Sequence, residues 1–253
     1  MKKRLALIFI LAVAVLPLNA QFLLSDSLVA HYTLDGSADD GSGNDYHGTA
    51  VNLDEIMDRF GYPSSAYVFD GFSSVISLPQ EVLTDMTEGT VSAWIMIDYA
   101  APAGLKWHIL SKHSSGNDPV FDLSVNSDMN IVLTIDDGVQ APQELVSAST
   151  LYEQTWYHIA VTWNGSEWLL YLDTYLDSYI ASSVTLPASS AQVNLGWDGV
   201  TTEHYAGAMD DIYIYNRALS DSELYNLYNQ SSLLTLNANI YQANCTESNG
   251  AIE

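Results

Sequence analysis

Short runs in which apolar and polar residues alternate, separated by clusters of Gly, Asp, Asn and Ser, extend over most of the chain. A period of two is typical of strands that bury one face, and the separating residues are typical of turns. Nothing before Ser220 has the 3.6-residue period of a helix. The runs predict nine strands, over residues 28–34, 90–97, 108–112, 121–125, 130–135, 157–163, 168–173, 192–195 and 209–215.

Two local motifs predict how these strands are connected and where they end. Asn164-Gly165 lies between two predicted strands in the stretch HIAVTWNGSEWLLYL. Asn-Gly tolerates the two positive φ angles of a type I′ turn, so it predicts a hairpin. Later, Ser220 and Glu223 have the spacing of a capping box before an apolar run. This spacing predicts one short helix at the end of the domain.

The first twenty residues have the three-part pattern of a secretory signal peptide. Basic residues at positions 2–4 precede an apolar run over 5–18, and Asn19-Ala20 offers a small residue for cleavage. The run is shorter than the roughly 20 residues that span a bilayer core, which disfavours a membrane-spanning helix. We therefore expect signal peptide 1–20 to be removed and the protein to be secreted, either extracellular or at the cell surface.

The charge of the chain excludes two classes of partner. The sequence has 31 acidic and seven basic residues, a formal net charge of −24. Nucleic acids and anionic membranes are bound through clusters of Lys and Arg, which this sequence lacks. We expect no nucleic-acid partner and no membrane insertion. An excess of carboxylates serves solubility or the binding of hard cations such as Ca²⁺.

Five separated segments resemble, in order, the laminin-G-like, concanavalin A-like lectin/glucanase domains of secreted bacterial proteins of the Bacteroidetes type. The segments are LVAHYTLDGSADDGSGNDYHGTA, AYVFDGFSSVISLP, GTVSAWIMI, TWYHIAVTWNGSEWLLYLD and GAMDDIYIYNRALSDSEL. The resemblance implies an all-β domain over residues 21–230, an antiparallel two-sheet jelly-roll sandwich that is generally non-catalytic and often binds Ca²⁺. The sequence departs from the family at Thr174, where a hairpin usually has Gly.

The polar loop over residues 35–48 has the composition of a calcium site. It contains four aspartates, one asparagine and several glycines that let backbone carbonyls converge. Ca²⁺ takes 6–8 oxygen ligands, so a second segment has to contribute. The resemblance assigns that role to the last strand, with Asp40 and Asp210 as carboxylate ligands and Asn44 and His47 as further ligands.

Asp210 and Asp211 stand in that last strand. By simple alternation Asp210 shares one face with Ile212 and Ile214, and Asp211 lies on the other. A carboxylate buried on an apolar face is costly unless a cation neutralises it, and calcium is the expected cation. The alternative is that Asp210 pairs with Arg217 or accepts backbone hydrogen bonds in a turn.

The sequence contains no recognisable catalytic motif. Related glucanases carry E-x-D-x-x-E on a strand, whereas Glu167 is followed by an acid only at Asp173. The G-x-S-x-G and H-E-x-x-H motifs are also absent. We expect no enzyme activity and no catalytic residues.

Aromatic residues outside the predicted core strands are candidates for stacking on sugar rings. Trp107, Trp197 and Tyr205 fall in stretches predicted as loops. A loop aromatic has little reason to be there unless it contacts a ligand, and these three residues are our candidate ligand-binding residues. Covering the end of the sandwich is the alternative role.

Residues 231–253 differ from the rest and predict a linker and one new strand. The segment NCTESNGAI resembles the opening of immunoglobulin-like repeats in surface and adhesion proteins. By this resemblance we expect further domains of a longer chain. Because the cysteines of secreted proteins normally come in pairs, we expect the partner of Cys245 beyond residue 253. A free cysteine in an unstructured tail is the alternative.

These expectations describe a secreted, non-catalytic carbohydrate-binding or adhesive module, stabilised by calcium, whose partner is a polysaccharide or a glycoprotein glycan. One alternative is a structural spacer of a surface protein without a glycan ligand, and another is a glycoside hydrolase. Exposed aromatic residues on one shared face would favour binding, whereas aromatic residues folded into the core would favour the spacer.

The localisation can be tested by breaking the apolar run of the signal peptide. Replacing Leu11 and Val13 by Asp should leave unprocessed protein in the cytoplasm, because the apolar segment is the part that the export machinery recognises. Immunoblotting of cell and medium fractions measures this, and normal export of the variant would contradict the prediction.

Overall fold

The computed structural model describes residues 24–113 and 119–229. Within these residues, fifteen strands form two antiparallel sheets that pack as a sandwich. In chain order the strands are β1 (Leu28–Tyr32), β2 (Thr49–Val51), β3 (Asp54–Ile56), β4 (Ala66–Asp70), β5 (Val75–Leu78), β6 (Gly89–Ile97), β7 (Lys106–His113), β8 (Pro119–Asn126), β9 (Ile131–Ile135), β10 (Gln143–Val146), β11 (Trp156–Trp163), β12 (Glu167–Leu172), β13 (Tyr175–Ala181), β14 (Val193–Leu195) and β15 (Ala206–Tyr215).

The last strand lies in the middle of the larger, eight-stranded sheet. The order of that sheet is β13-β12-β11-β6-β15-β4-β3, and β1 also pairs with β15. On one side β15 pairs with β6. On the other side its first four residues pair with β4 and residues 212–215 pair with β1. The neighbouring strand therefore changes at Asp210 and Asp211.

The smaller sheet has seven strands in the order β10-β9-β8-β7-β14-β5-β2. The inward side chains of the two sheets form one apolar core. At one place in this core Trp163 and Trp168 stack with their ring centroids 4.6 Å apart. Burial of each large apolar side chain contributes about 1.5–3 kcal/mol, so this core is the main source of stability.

One α-helix, α1 (Asp221–Tyr228), covers part of the outer face of the eight-stranded sheet. Its Leu224 and Leu227 pack with Tyr213 and Tyr215 of β15. The helix begins as predicted: Glu223 Oε2 accepts hydrogen bonds from the Ser220 amide at 2.9 Å and the Ser220 hydroxyl at 2.7 Å. In the described part of the chain no helix has the length and apolar character needed to cross a bilayer.

The predicted architecture is confirmed, and each of the nine predicted strands is present. Six further strands were not predicted: β2, β3, β4, β5, β10 and β13. Three of them, β2, β3 and β10, are both short and largely exposed, so alternation leaves little signal in their sequence. The predicted signal peptide, the segment after residue 230 and Cys245 lie outside the described residues.

The hairpin at Asn164-Gly165 is confirmed, but its predicted turn type is wrong. Only Gly165 has a positive φ, of 80°. The Asn164 side chain instead accepts hydrogen bonds from the backbone amides of Ser166 and Glu167, at 3.0 and 3.1 Å. Asparagine here organises the loop through its side-chain oxygen, a role that does not require the left-handed backbone conformation.

The type I′ turn that was predicted at Asn164-Gly165 occurs instead in the next hairpin, between β12 and β13. Asp173 has φ 48° and Thr174 φ 73°, and Leu172 pairs directly with Tyr175. Two successive positive φ angles between paired strands define a type I′ turn. Thr174 stands where the family usually has Gly, so a β-branched residue adopts a conformation that is unfavourable for it.

Thr174→Gly should therefore raise the free energy of unfolding by about 1 kcal/mol, because glycine adopts a positive φ without steric cost. The matched control is Thr49→Gly in β2, where φ is not positive and glycine only weakens the strand. Chemical denaturation measures both variants. A loss of stability for Thr174→Gly equal to that of the control would contradict a strained turn.

Candidate functional site

A β-bulge in β15 decides where its two aspartates point. Asp210 pairs with Trp94 and Tyr213 pairs with Ser92, so Asp211 and Ile212 together oppose one residue of β6. Asp211 has φ 47°, as the extra residue of a bulge. Beyond the bulge, Ile212 and Ile214 point into the core, whereas Tyr213 and Tyr215 lie on the outer face.

The bulge corrects the assignment of faces made from simple alternation. Asp210 follows the core residue Met209 and lies opposite Trp94, so it belongs to the outer face with Tyr213. It does not share a face with Ile212 and Ile214. One inserted residue reverses the alternation of a strand, and the sequence carries no mark of the insertion.

Arg59 forms an ion pair with each of the two aspartates. It comes from the loop between β3 and β4, and its Nη1 donates to Asp210 Oδ2 at 2.5 Å while its Nη2 donates to Asp211 Oδ2 at 2.7 Å. The Arg59 and Asp210 side chains are only 5% and 4% exposed. The expected alternative partner, Arg217, pairs with Glu223 instead, at 2.7 Å.

Aromatic rings enclose the guanidinium of Arg59. Its Cζ lies 4.5 Å from the ring centroids of Phe60 and of Trp94. Such contacts hold a cation in a desolvated position and strengthen its attraction to the carboxylates. Burial and the neighbouring Asp211 raise the pKa of Asp210 despite Arg59. Although burial also works against ionisation of Asp211, His31 and Arg59 keep the pKa of Asp211 low.

Asp40 organises the polar loop that was predicted to bind calcium. Its Oδ1 accepts from the amides of His31 and Ser42, both at 2.9 Å. Its Oδ2 accepts from the Ser42 hydroxyl at 2.8 Å and the Tyr46 amide at 3.1 Å. Although burial opposes ionisation, these amide hydrogen bonds lower the pKa of Asp40. The carboxylate is therefore a hydrogen-bond acceptor for its own loop.

The other predicted metal ligands are likewise engaged elsewhere. The Asn44 amide donates to the carbonyls of Leu28 and Val29, both at 3.0 Å. His47 Nδ1 accepts from the Asp40 amide at 3.1 Å. These contacts connect the loop to itself and to β1, and they direct none of the three residues of the loop toward Asp210.

The donor set does not fit the predicted calcium site. Both oxygens of Asp40 face N–H or O–H donors, whereas a metal ligand needs its lone pairs free. Asp210 already has a cationic partner in Arg59. Among residues 24–113 and 119–229, no group of three or more His, Cys, Asp or Glu is arranged to hold a metal ion. Calcium binding stays a prediction from sequence that this arrangement does not support.

Two of the three predicted ligand-binding aromatics are buried, which corrects their assignment to exposed loops. Trp107 belongs to β7, is 5% exposed, and donates its indole N–H to the Tyr99 carbonyl at 2.8 Å. Tyr205 is 0% exposed and its hydroxyl donates to the carbonyls of Met96 and Ala208. Neither ring offers a face to a ligand.

Trp197, the third predicted residue, is partly exposed in the loop over residues 196–205. Its ring stacks on His204, with a centroid distance of 5.3 Å and an angle of 7° between the planes. Its indole N–H donates to the Thr201 carbonyl at 2.7 Å, which fixes the ring within the loop.

Two further aromatic residues, missed from the sequence, lie beside this pair. Phe72 is 83% exposed and Tyr99 is 47% exposed. A Cβ atom added to Gly71 would lie 2.8 Å from the Tyr99 hydroxyl, so Tyr99 reaches the turn that carries Phe72. The same turn contacts His204, whose Nδ1 lies 3.5 Å from the Ser74 carbonyl. We call Phe72, Tyr99, Trp197 and His204 the loop patch.

The turn that carries Phe72 is held by hydrogen bonds to Asp70. Its Oδ1 accepts from the amides of Phe72, Ser73 and Ser74 at 2.8–3.0 Å. Despite the opposing effect of burial, these bonds keep the pKa of Asp70 far below its usual range. The exposed ring therefore extends from an ordered turn. The sequence signal is a lone Phe within the turn-like stretch DGFSS.

A cleft of about 530 Å³ lies on the outer side of the eight-stranded sheet, between the β11–β12 hairpin and the start of α1. Its lining includes Trp163 and Tyr171, together with Glu167 and Asp221. The two aromatic side chains are 1% and 4% exposed, so they provide no open ring face for stacking. The loop patch is the better candidate for an aromatic binding site.

Comparison with known families supports the fold described above. Residues 70–224, more than half of the chain, match the family model described as the concanavalin A-like lectin/glucanases superfamily. The chain belongs to this superfamily. A comparison with curated proteins finds no match to the chain.

Solved structures of similar fold include carbohydrate-binding proteins. Domain 4 of AbnA, an extracellular arabinanase from Geobacillus stearothermophilus solved with arabinotriose, has 19% identity and a TM-score of 0.65, with 80% of this chain and 98% of that domain covered. The binding domain of Paraclostridial mosquitocidal protein 1 has 17% identity and a TM-score of 0.69, with 82% of this chain covered.

The ligand-binding domain of botulinum neurotoxin serotype D, solved with N-acetylneuraminic acid, has 17% identity and a TM-score of 0.67, with 83% of this chain covered. The match covers about half of each of these two longer chains, 53% of the mosquitocidal protein's binding domain and 52% of the neurotoxin's ligand-binding domain. At these identities the likeness shows the fold alone.

Removing the charge of Arg59 should strongly destabilise the protein. Arg59→Met keeps the apolar stem but leaves two carboxylates with one cation fewer, at an expected cost of about 3–5 kcal/mol. Lys106→Met is the control, because the Lys106–Glu144 pair is largely exposed and such pairs contribute about 0–1 kcal/mol. Thermal and chemical unfolding measure both variants. Equal effects would contradict the role of Arg59.

The same measurement tests calcium. Because Arg59 already supplies the positive charge, we expect the wild-type protein to unfold at the same temperature in calcium and in EDTA. A ligand present at a hundredfold excess over its Kd adds about 2.7 kcal/mol. A fall of several degrees in EDTA would therefore support the calcium site predicted from the sequence.

Proposed function

We propose that this protein is a non-catalytic carbohydrate-binding module of a secreted or cell-surface protein, and that the loop patch binds a polysaccharide or a glycoprotein glycan. The observation that carries the proposal is that the four ring side chains of the loop patch, with Phe72 83% and Tyr99 47% exposed, lie on three separate loops that contact one another. A loop aromatic that is exposed on an ordered turn has its strongest explanation in ligand contact.

The chemistry of the loop patch suits a sugar. Aromatic rings stack on the apolar C–H faces of pyranose and furanose rings, and the hydroxyl of Tyr and the ring nitrogens of His can hydrogen-bond the hydroxyl groups of a sugar. Phe72 gives an open apolar ring. Tyr99 and His204 add polar ring atoms beside it, so the patch combines stacking surface with hydrogen-bonding groups.

The structural neighbours support this proposal at the level of the fold. Two of them were solved with saccharides, arabinotriose in one and N-acetylneuraminic acid in the other. The charge of this chain favours a neutral glycan over an acidic one. Asp98, Glu203 and Asp70 lie beside the ring residues in sequence, and the chain has a net charge of −24.

The non-catalytic part of the proposal rests on access. The acidic cluster that could be considered for glycoside hydrolysis surrounds His108 and consists of Asp122, Asp198 and Glu203. The side chains of Asp122 and Asp198 are only 5% and 3% exposed. A glycosidic bond has to lie between two accessible carboxyl groups to be cleaved, so these buried groups are poorly placed for that chemistry.

A structural spacer without a glycan ligand is the second candidate. The burial of Trp107 and Tyr205 favours it, because both side chains act in packing. The two candidates differ in what they require of the loop patch. Phe72 is 83% exposed. Exposure of this ring contributes nothing to a spacer, whereas a binding module requires it for ligand contact.

The proposal predicts that Phe72→Ala and Trp197→Ala weaken glycan binding. An exposed stacking residue contributes about 1–3 kcal/mol to binding when the contact is central, while surface truncation changes stability by about 0.5 kcal/mol or less. Affinity electrophoresis against a panel of neutral and acidic polysaccharides measures retention. Tyr175→Ala, a 78% exposed tyrosine on the edge strand β13, is the control and should retain full binding.

Absence of retention of the wild-type protein on every polysaccharide and glycoprotein glycan would favour the spacer. Equal retention of Phe72→Ala, Trp197→Ala and Tyr175→Ala would place the glycan site elsewhere.

A further inference from the structure

His108 lies under the loop that carries half of the loop patch. It belongs to β7, and its side chain is 6% exposed on the outer side of the seven-stranded sheet. Its Nδ1 lies 2.7 Å from Asp122 Oδ1 of β8. Its Nε2 lies 3.8 Å from Asp198 Oδ2 and 3.7 Å from Glu203 Oε2, and both acids belong to the loop over residues 196–205.

One imidazole therefore faces three carboxylates. In its neutral form with Nδ1–H donating to Asp122, the lone pair of Nε2 would point at two acids. Nε2 has no hydrogen-bond partner. The doubly protonated ring instead presents N–H groups to both sides. Burial opposes that charge, but Asp122, Asp198 and Glu203 raise the pKa of His108 above its ordinary value.

Two other basic side chains lie near this cluster, and neither forms an ion pair with Asp122, Asp198 or Glu203. The ammonium of Lys106, at the start of β7, pairs with Glu144 of β10 at 3.1 Å. The ring of His113, at the end of β7, contacts His108 edge-on at a centroid distance of 6.4 Å. Hence the charge of His108 is the one placed between the sheet and the acids of the loop.

Both ends of the loop are attached independently of His108, because the Gly196 amide donates to the Ile109 carbonyl and the Gly71 amide donates to the Tyr205 carbonyl, both at 3.0 Å. The contacts of His108 act on the part of the loop between these ends. The Ser111 hydroxyl donates to the Trp197 carbonyl at 2.6 Å, and the Lys106 amide donates to Glu203 Oε2 at 2.9 Å. Asp198 Oδ1 accepts from the amides of Val200 and Thr201, at 2.9 and 2.8 Å, so the carboxylate that faces His108 also sets the loop conformation.

We propose that His108 is a positioning residue for the glycan-binding loop: as an imidazolium it binds Asp122, Asp198 and Glu203 together and so holds Trp197 and His204 in the loop patch. Loss of the proton leaves Asp198 and Glu203 facing an uncharged ring, and the part of the loop that carries them loosens from the sheet. The inference rests on the proposed function for its consequence in binding, but not for the loop anchor itself.

The sign of the pH dependence follows from the raised pKa. Stabilisation of the loop is complete below the ordinary pKa of histidine and is lost as the pH rises through the higher value of the folded protein. Glycan binding should therefore weaken on the alkaline side. Asp198→Asn, which preserves the shape and the Oδ1 acceptor but removes one charge, should move this transition to lower pH.

The test uses the full chain and follows hydrogen exchange of residues 196–204 by mass spectrometry between about pH 5.5 and pH 9, corrected for the intrinsic rate. In the wild type, protection should fall at least about fivefold across the transition, the range of a typical coupling between sites. In His108→Gln, protection should be low at every pH, with no transition. In Asp198→Asn the midpoint should be lower than in the wild type.

Unchanged protection in His108→Gln, or a transition that persists in it, would overturn the inference. If that variant does not fold, an unshifted midpoint in Asp198→Asn overturns it as well. Retention on the neutral polysaccharide that binds best in the panel is measured over the same pH range. Failure of all retention would refute the proposed function, while hydrogen exchange without ligand would still decide the role of His108.

Discussion

The structure depends on placing one guanidinium between two adjacent carboxylates, that of Asp210, which is buried, and that of Asp211, which is partly buried. Asp210 and Asp211 lie where the central strand β15 exchanges one neighbour, β4, for another, β1. A bulge at this point frees both carboxylates to face the same side, and Arg59 enters the space from the loop between β3 and β4. Without a cation, burial of these acids would be prohibitive. The bulge, the exchange of neighbouring strands and the residue 57–65 loop therefore meet at one set of ion pairs.

Each of the four basic side chains in the described part of the chain binds an acid or a backbone carbonyl of the protein itself. Arg59 and Arg217 bind buried acids, and Lys106 binds Glu144. Lys112 is 0% exposed and donates its ammonium to the carbonyls of Gln80 and Leu83, and burial lowers its pKa to about 8. What reaches solvent is then mostly acidic. Such a surface repels anionic partners and leaves shape and ring stacking, rather than charge attraction, to select a ligand.

Local sequence patterns were sufficient to predict the architecture. Contacts between residues that are far apart in the chain could not be predicted from such patterns. Alternation predicted the core strands, and the Ser220–Glu223 spacing predicted the helix, because both are set by neighbouring residues. The ion pair of Arg59 with Asp210 joins residues 151 positions apart, and no local pattern connects them. The exposure of an aromatic residue is equally non-local: Trp107 became buried because β7 begins two residues earlier than predicted, whereas Phe72 is exposed by the shape of a turn.

The position of β15 has a consequence for the order of events during synthesis. This strand is the last of the sandwich, yet it joins β6 on one side to β1 and β4 on the other, so the larger sheet lacks its middle until residues 206–215 have been made. Nearly the whole domain has to leave the ribosome before its core can close, and pairing across such sequence separations is slow. A nascent chain of this topology cannot complete its larger sheet for most of its synthesis, and a polypeptide without a closed core is one that can be threaded through a narrow pore.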